Sequence, residues 1–162
     1  MIILFRHYYP GRFPTLWENF ESLKADNRII SVREVFNEIN AYGDSDRLTD
    51  WAKKNREFFE QPTLQELLIV TEIFKNNHFQ ALIRKKERLQ GKPVADPFIA
   101  AKAKALNGTV VTNERLRDNA AGLPNVCEKF EISCIDLEEF IETRGLDILK
   151  PGILLPRIWA EP

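Results

Sequence analysis

ADPFIAAKAKALNGTVVTNE, residues 95–114, is the stretch whose reading decides the fold. An aspartate followed by a proline is a common way to open a helix, with Asp96 at the cap and Pro97, which has no N–H to lose, in the first turn. The alanine-rich run that follows has high helix propensity and ends at Asn107-Gly108. Thr109–Thr112 then reads as a β-branched strand, so the segment is a helix delivered straight into a strand. Such a unit brings two carboxylates, Asp96 before the helix and Glu114 after the strand, to one edge of a sheet. Open α/β sheets bind ligands at the carboxyl ends of their strands.

Working outward, two more short segments have strand character, Arg28–Val32 and Ile132–Ile135. Helices are predicted at Pro14–Lys24, Arg33–Tyr42, Arg47–Phe59, Phe79–Leu89 and Leu137–Thr143. A long helical stretch lies between the strands at Arg28–Val32 and Thr109–Thr112, and Leu64, Leu67, Leu68, Ile73 and Phe74 are expected to form its core face. Strands separated by helices point to an α/β fold with a parallel sheet between helical layers. No repeat or low-complexity tract breaks the chain. One domain is expected over residues 1–144, followed by an extended arm over 145–162 that contains Pro151, Pro156 and Pro162 among apolar side chains. That arm has two readings, one laid on its own domain and one laid on a partner.

The 162 residues suit a single core, and 44% hydrophobic with 29% charged residues is a globular balance, not a disordered one. A net charge of −1 gives no overall attraction to nucleic acid. Without a long apolar run or a cleavable leader, the sequence reads as cytoplasmic. Cys127 and Cys134 stand in apolar company and read as buried reduced thiols. His7 and His78 are too few and too far apart for a zinc site. Asp44, Asp46 and Asp50 lack the glycine and terminal glutamate of a calcium loop and read as a solvated turn.

A third carboxylate comes from RIISVREVFNEI, where a strand enters a helix: Val35, Phe36 and Ile39 can face the core while Glu38 points elsewhere. Glu34, one turn earlier, lies on nearly the same face and competes for the role. Carboxylates gathered from distant parts of a chain suit hard cations such as Mg2+ or Mn2+, which take oxygen ligands and can polarise a phosphate and activate water. Arg84, Lys85, Lys86 and Arg88, with Lys92 nearby, form a basic run that could neutralise an RNA backbone. Runs of this length are more often a wet helix face.

These motifs resemble the PIN-domain nucleases, which include the VapC-like toxins of toxin–antitoxin pairs. ADPFIAAKA resembles their third-acid helix, VVTNE the strand ending in threonine, a variable residue and the fourth acid, and ISVREVFNEI the second-acid motif. PNVCEKFEISCIDLEEFI resembles the closing helix and last strand, and HYYPGRFPTLWENF is similar to one PIN-like branch. The resemblance covers most of residues 7–143. It implies a PIN-like three-layer sandwich and a Mg2+- or Mn2+-dependent endoribonuclease. Glu38, Asp96 and Glu114 would be its metal-holding catalytic acids, with Thr112, Asn113 and Asp118 in support. The implied partners are RNA, an antitoxin protein and a second copy in a homodimer.

The sequence departs from that pattern in two places. Glu114 stands where the family usually has aspartate, with Asp118 as the fallback. No acidic residue precedes Glu18, although the family's first strand ends in an aspartate. One reading makes Met1–Leu4 the start of the following helix, with the strand and its acid encoded upstream of an internal Met1. The other makes Met1–Phe5 a strand.

Overall fold

The computed structural model describes residues 2–42, 46–82 and 94–143. The basic run at 84–92, Asp44, the later part of the helix expected at Phe79–Leu89 and the arm at 145–162 lie outside them. The described chain is mixed α/β and mostly helical, with four short strands in two parallel pairs.

Helix α1 (Ile2–His7) shows that the apolar start is helical, not a strand. It buries Leu4 and Phe5 against α2 (Pro14–Ala25), which opens on Pro14 and buries Leu16, Trp17, Phe20 and Leu23 at helical spacing. The chain leaves α2 through Asn27 at φ 53, a left-handed conformation that asparagine tolerates, and Arg28 N–H still bonds to the Leu23 carbonyl at 2.9 Å. That exit occupies part of the strand expected at Arg28–Val32. Pairing is restricted to β1 (Ser31–Val32).

Helix α3 (Arg33–Tyr42) follows at once, then α4 (Asp46–Lys54), a 3-10 turn at Arg56–Phe58 and β2 (Phe59–Glu60). The single helix expected at Arg47–Phe59 therefore stops at Lys54. Asn55 turns its side-chain amide back onto the Trp51 carbonyl at 2.8 Å, taking over an acceptor at the helix end. Phe58 and Phe59 are both buried, and Phe59–Glu60 pairs in parallel with Ser31–Val32. Next comes α5 (Leu64–Lys75), whose start is fixed by a capping box: Thr63 Oγ1 accepts from Glu66 N–H, and Glu66 reaches back to Thr63 N–H.

The buried face of α5 differs from the expected one. Ile73 is fully buried and Phe74 partly so, but Leu64, Leu67 and Leu68 are exposed at 76%, 42% and 65%. Glu66, Val70 and Ile73 face inward instead. The reason lies on α6 (Asp96–Leu106), where the buried Lys102 ammonium meets Glu66 at 3.0 Å and Glu60 at 2.7 Å. With Glu66 turned inward to this ammonium, Leu64, Leu67 and Leu68 are left on the outward side of α5. The small side chains of Ala100 and Ala101, both fully buried, let α5 and α6 pack closely.

Helix α6 ends at Asn107, φ 50, with Gly108 N–H on the Ala103 carbonyl at 2.8 Å, and the chain reverses into β3 (Thr109–Val111). After α7 (Leu123–Lys129), β4 (Ser133–Ile135) pairs in parallel with β3, Val110 opposite Cys134. Helix α8 (Leu137–Thr143) completes the described chain. Two cores result. One is rich in aromatic residues, running from Phe5, Trp17 and Phe20 to Phe58, Phe59 and Phe140. The other is aliphatic, around Ile73, Ala100, Val110, Leu123 and Val126.

Candidate functional site

Helix α6 touches both β1 and β3, so one helix spans the two parallel pairs. Among the described residues β1 pairs only with β2, and β3 only with β4. The chain crosses outward from β1 to β2 through α3 and α4, and from β3 to β4 through α7. The point where these two windings diverge is where ligands collect in α/β proteins.

Two of the expected carboxylates, Asp96 and Glu38, meet at the start of α6, and the third, Glu114, follows β3. Asp96 is the first residue of α6. Ala95, not Asp96, occupies the cap, and it makes no side-chain capping bond. The expected capping role of Asp96 is thus corrected: its carboxylate sits in the first turn, where the helix dipole favours negative charge. Glu38 of α3 accepts the Ala95 N–H on Oε1 at 2.7 Å, across 57 residues of sequence, which seats it beside Asp96. Because α6 turns back directly into β3, the exit of β3 returns toward the Asp96 end. There Thr112 N–H bonds to the Ile135 carbonyl at 3.0 Å, and Thr112 Oγ1 accepts from Glu114 N–H at 3.2 Å.

Glu114 has a further task. Its Oε2 accepts the Leu123 N–H at 3.0 Å at the start of α7, and a Cβ on Gly122 would lie 3.0 Å from the same oxygen, close enough that the carboxylate would have to shift. Asn113 and Asp118 are exposed in the loop that follows β3. Beneath the loop, Cys127 and Cys134 share a thiol hydrogen bond. Burial, the neighbouring thiol and the charge of Asp96 push Cys127 up to about 12. Burial and the charge of Glu114 also raise Cys134. Both thiols are free, Cys127 buried and Cys134 half-buried.

The donor chemistry suits a hard divalent cation, since all three acids offer oxygen. However, no group of three or more His, Cys, Asp or Glu side chains among the described residues is close enough to hold one ion. The structure brings Glu38 to the start of α6 and turns Glu114 toward the start of α7.

The pairing of Lys102 was missed in the sequence, whereas Glu34 was weighed there only as a competitor of Glu38. Lys102, 5% exposed, is bound by Glu60 and Glu66; burial alone would lower its pKa, but the bonds and charges of the two glutamates outweigh this and raise it. Its only sequence signal is a lysine on the alanine face of α6. Glu34 is 6% exposed, with Oε1 taking both Arg33 Nη2 at 2.7 Å and Arg33 Nε at 3.1 Å, while Oε2 is buried without a hydrogen-bond partner. Its spacing from Glu38 was the available signal.

The described chain is thus a mixed α/β protein with two parallel strand pairs, both touched by α6, at whose start Glu38 binds the Ala95 N–H. The chain belongs to the family described as "Domain of unknown function (DUF4411)", whose model matches residues 1–148. Comparison with curated proteins and with solved structures returns no match. Among the described residues, no helix is long and apolar enough to cross a membrane.

Proposed function

We propose that this chain is a PIN-like, Mg2+- or Mn2+-dependent endoribonuclease and the toxin of a toxin–antitoxin pair. The observation that carries the reading is the bond from Ala95 N–H to Glu38 Oε1, which puts the second-motif acid against the start of the third-motif helix. In the proposed three-layer sandwich, β1–β2 and β3–β4 belong to one sheet, and the strand that the resemblance implies would lie between β1 and β3. A bound cation would supply a polarised phosphoryl oxygen and an activated water. Asp96 and Glu38 would hold it, Glu114 would join from the exit of β3, and Thr112 would orient Glu114 through its backbone N–H. RNA and an antitoxin are the partners of this reading, and a homodimer is its proposed assembly.

The test is cleavage of end-labelled RNA by the purified full chain with Mn2+, alongside Asp96→Asn. Loss of cleavage in the variant is expected. Equal cleavage by both proteins removes Asp96 from the mechanism, and absence of cleavage and of Mn2+ binding in the wild type ends the nuclease reading.

A second reading, a non-catalytic PIN-like module that binds RNA or protein, is favoured by the bond between Glu114 and Leu123 N–H. A carboxylate committed to a helix start is less available to an ion. Under this reading the chain binds RNA without Mn2+, and Asp96→Asn binds equally well.

A further inference from the structure

Resting on the RNA-binding part of that reading, and not on its metal chemistry, we propose that the turn after α1 holds a single-stranded RNA segment, with Arg12 and Arg47 taking backbone phosphates and Tyr9 offering a flat face to a base. The stretch that builds this surface is His7–Phe13, part of the aromatic and proline run HYYPGRFPTLWENF. Helix α1 stops at His7, and the two tyrosines that follow part company. Tyr8 is fastened to the aromatic core: its ring lies 5.3 Å from Phe13, and its carbonyl accepts the Trp17 indole N–H. The Tyr9 carbonyl accepts Arg12 N–H at 3.0 Å and Phe13 N–H at 3.2 Å, which closes the chain around Pro10 and Gly11. Tyr9 is half-buried, while Pro10, Gly11 and Arg12 are exposed. A closed turn, anchored on the core, thus displays a ring and a guanidinium at the surface.

A second guanidinium arrives from α4. Arg12 lies 5.9 Å and Arg47 5.5 Å from the centre of the Tyr9 ring. The ring attracts each cation, but the two cations repel one another. Lys24, Arg33, Lys75 and Lys102 each meet a glutamate, whereas among the described residues neither Arg12 nor Arg47 makes an ion pair. Arg56 over Phe36, at 4.8 Å, is the arrangement that packing alone explains, one cation on one ring. Two cations on one ring without a carboxylate leave a doubly positive surface that an anion would neutralise. The groups themselves define that anion. Guanidinium forks bind phosphate oxygens in pairs, and unstacked bases settle on aromatic rings and guanidinium planes. A single RNA strand presents phosphates and free bases together. A glutamate-rich peptide brings charge without a flat ring, and a duplex keeps its bases stacked inside. With a net charge of −1 on the whole chain, attraction for RNA has to come from a local patch of this kind.

The experiment is fluorescence anisotropy of a fluorescein-labelled single-stranded RNA of about 12 nucleotides. The full chain is titrated in EDTA, so that cleavage does not intervene, with thermal melts to establish folding. Arg12→Gln and Arg47→Gln should each raise Kd about fivefold or more, and should each flatten the dependence of log Kd on log salt by about 0.7. Tyr9→Leu should weaken binding about fivefold or more with the salt slope unchanged, and Tyr9→Phe should bind like the wild type. Arg56→Gln, which takes a cation from a ring elsewhere, should change neither Kd nor slope. Wild-type Kd and slope in both Arg12→Gln and Arg47→Gln overturn the proposal, as does an equal loss in Arg56→Gln. So does a glutamate-rich peptide or an RNA duplex that competes as well as the unlabelled single strand. If Tyr9→Leu does not fold, the two exposed arginines decide alone. If the wild type cleaves RNA while both arginine variants bind it unchanged, this surface is excluded and the nuclease reading stands. If the arginine variants lose RNA but the wild type with Mn2+ cleaves none, the surface stands and the nuclease reading falls. No RNA binding by the wild type, with or without Mn2+, overturns both.

Discussion

The two cores are built on different principles. The one beside β1 and β2 is a web of rings: Phe5 meets Trp17 edge-on at 4.6 Å, and Trp51 contacts Phe58 at 5.5 Å. Its helices are held apart by large side chains that interlock at angles. The core beside β3 and β4 uses small and branched residues, with Ala100 and Val126 fully buried, and its helices approach closely. The chain does not divide cleanly between them, because Phe140 of α8 returns to the aromatic side. What joins the two is polar. Lys102 on α6 binds Glu60 at the end of β2, and Glu38 on α3 binds the N–H before Asp96. The lesson is that the candidate site lies on a charged seam, where each contact has a fixed partner.

The largest expected break in this picture is Lys102→Met. It leaves Glu66, 3% exposed, as an uncompensated buried charge, and about 3–5 kcal/mol of stability should be lost in urea unfolding. Adding Glu66→Leu should restore much of it; failure of both changes to act this way would mean the seam is held by something else. Ala100→Leu tests the close approach on the aliphatic side and should cost about 1–3 kcal/mol by overpacking. A neutral result would show that the helices can separate, contrary to the packing described here.

Alkaline pH sharpens the comparison further. Cys127, lifted from its ordinary value of 9.0 to about 12, favours its protonated form in the folded chain. Its contribution is complete below about 9 and is lost as pH rises toward 12, because the unfolded thiol ionises first. Lys102, also raised, adds in the same direction, its share being lost as pH rises through its folded value. Melting temperature should therefore fall across this range, and iodoacetamide at pH 8.5 should label Cys127 far more slowly in the folded chain than in urea. Equal labelling rates would place the thiol in solvent. The smallest effect belongs to Leu68→Ser, on the exposed side of α5, where urea unfolding should change by less than about 0.5 kcal/mol.

Where the sequence was legible, local chemistry decided the outcome. Arg33–Tyr42 and Leu137–Thr143 are helices over the spans their patterns mark, and the passage from helix to strand at Asn107-Gly108 is written in residues that favour such a reversal. β2 was invisible because two residues, Phe59 and Glu60, are too few to show alternation. The inward face of α5 was misread because burial of Glu66 depends on Lys102, 36 positions away, which no local pattern contains. The same limit applies to the site. Asp96 and Glu114 could be placed at a sheet edge from their own neighbourhood, whereas the reach of Glu38 to Ala95 and the bare oxygen of Glu34 arise only when α3 meets other parts of the chain.

Glu66 performs two tasks with one carboxylate: it closes the capping box on Thr63 and meets the Lys102 ammonium. A residue under two such demands has little freedom to drift. Replacement by glutamine could keep the helix start but abandon the charge, and a swap to lysine would fail at both. In descendants of this chain, positions 60, 66 and 102 should therefore be inherited as a set, changing together or not at all, while the leucines one helix face away vary freely.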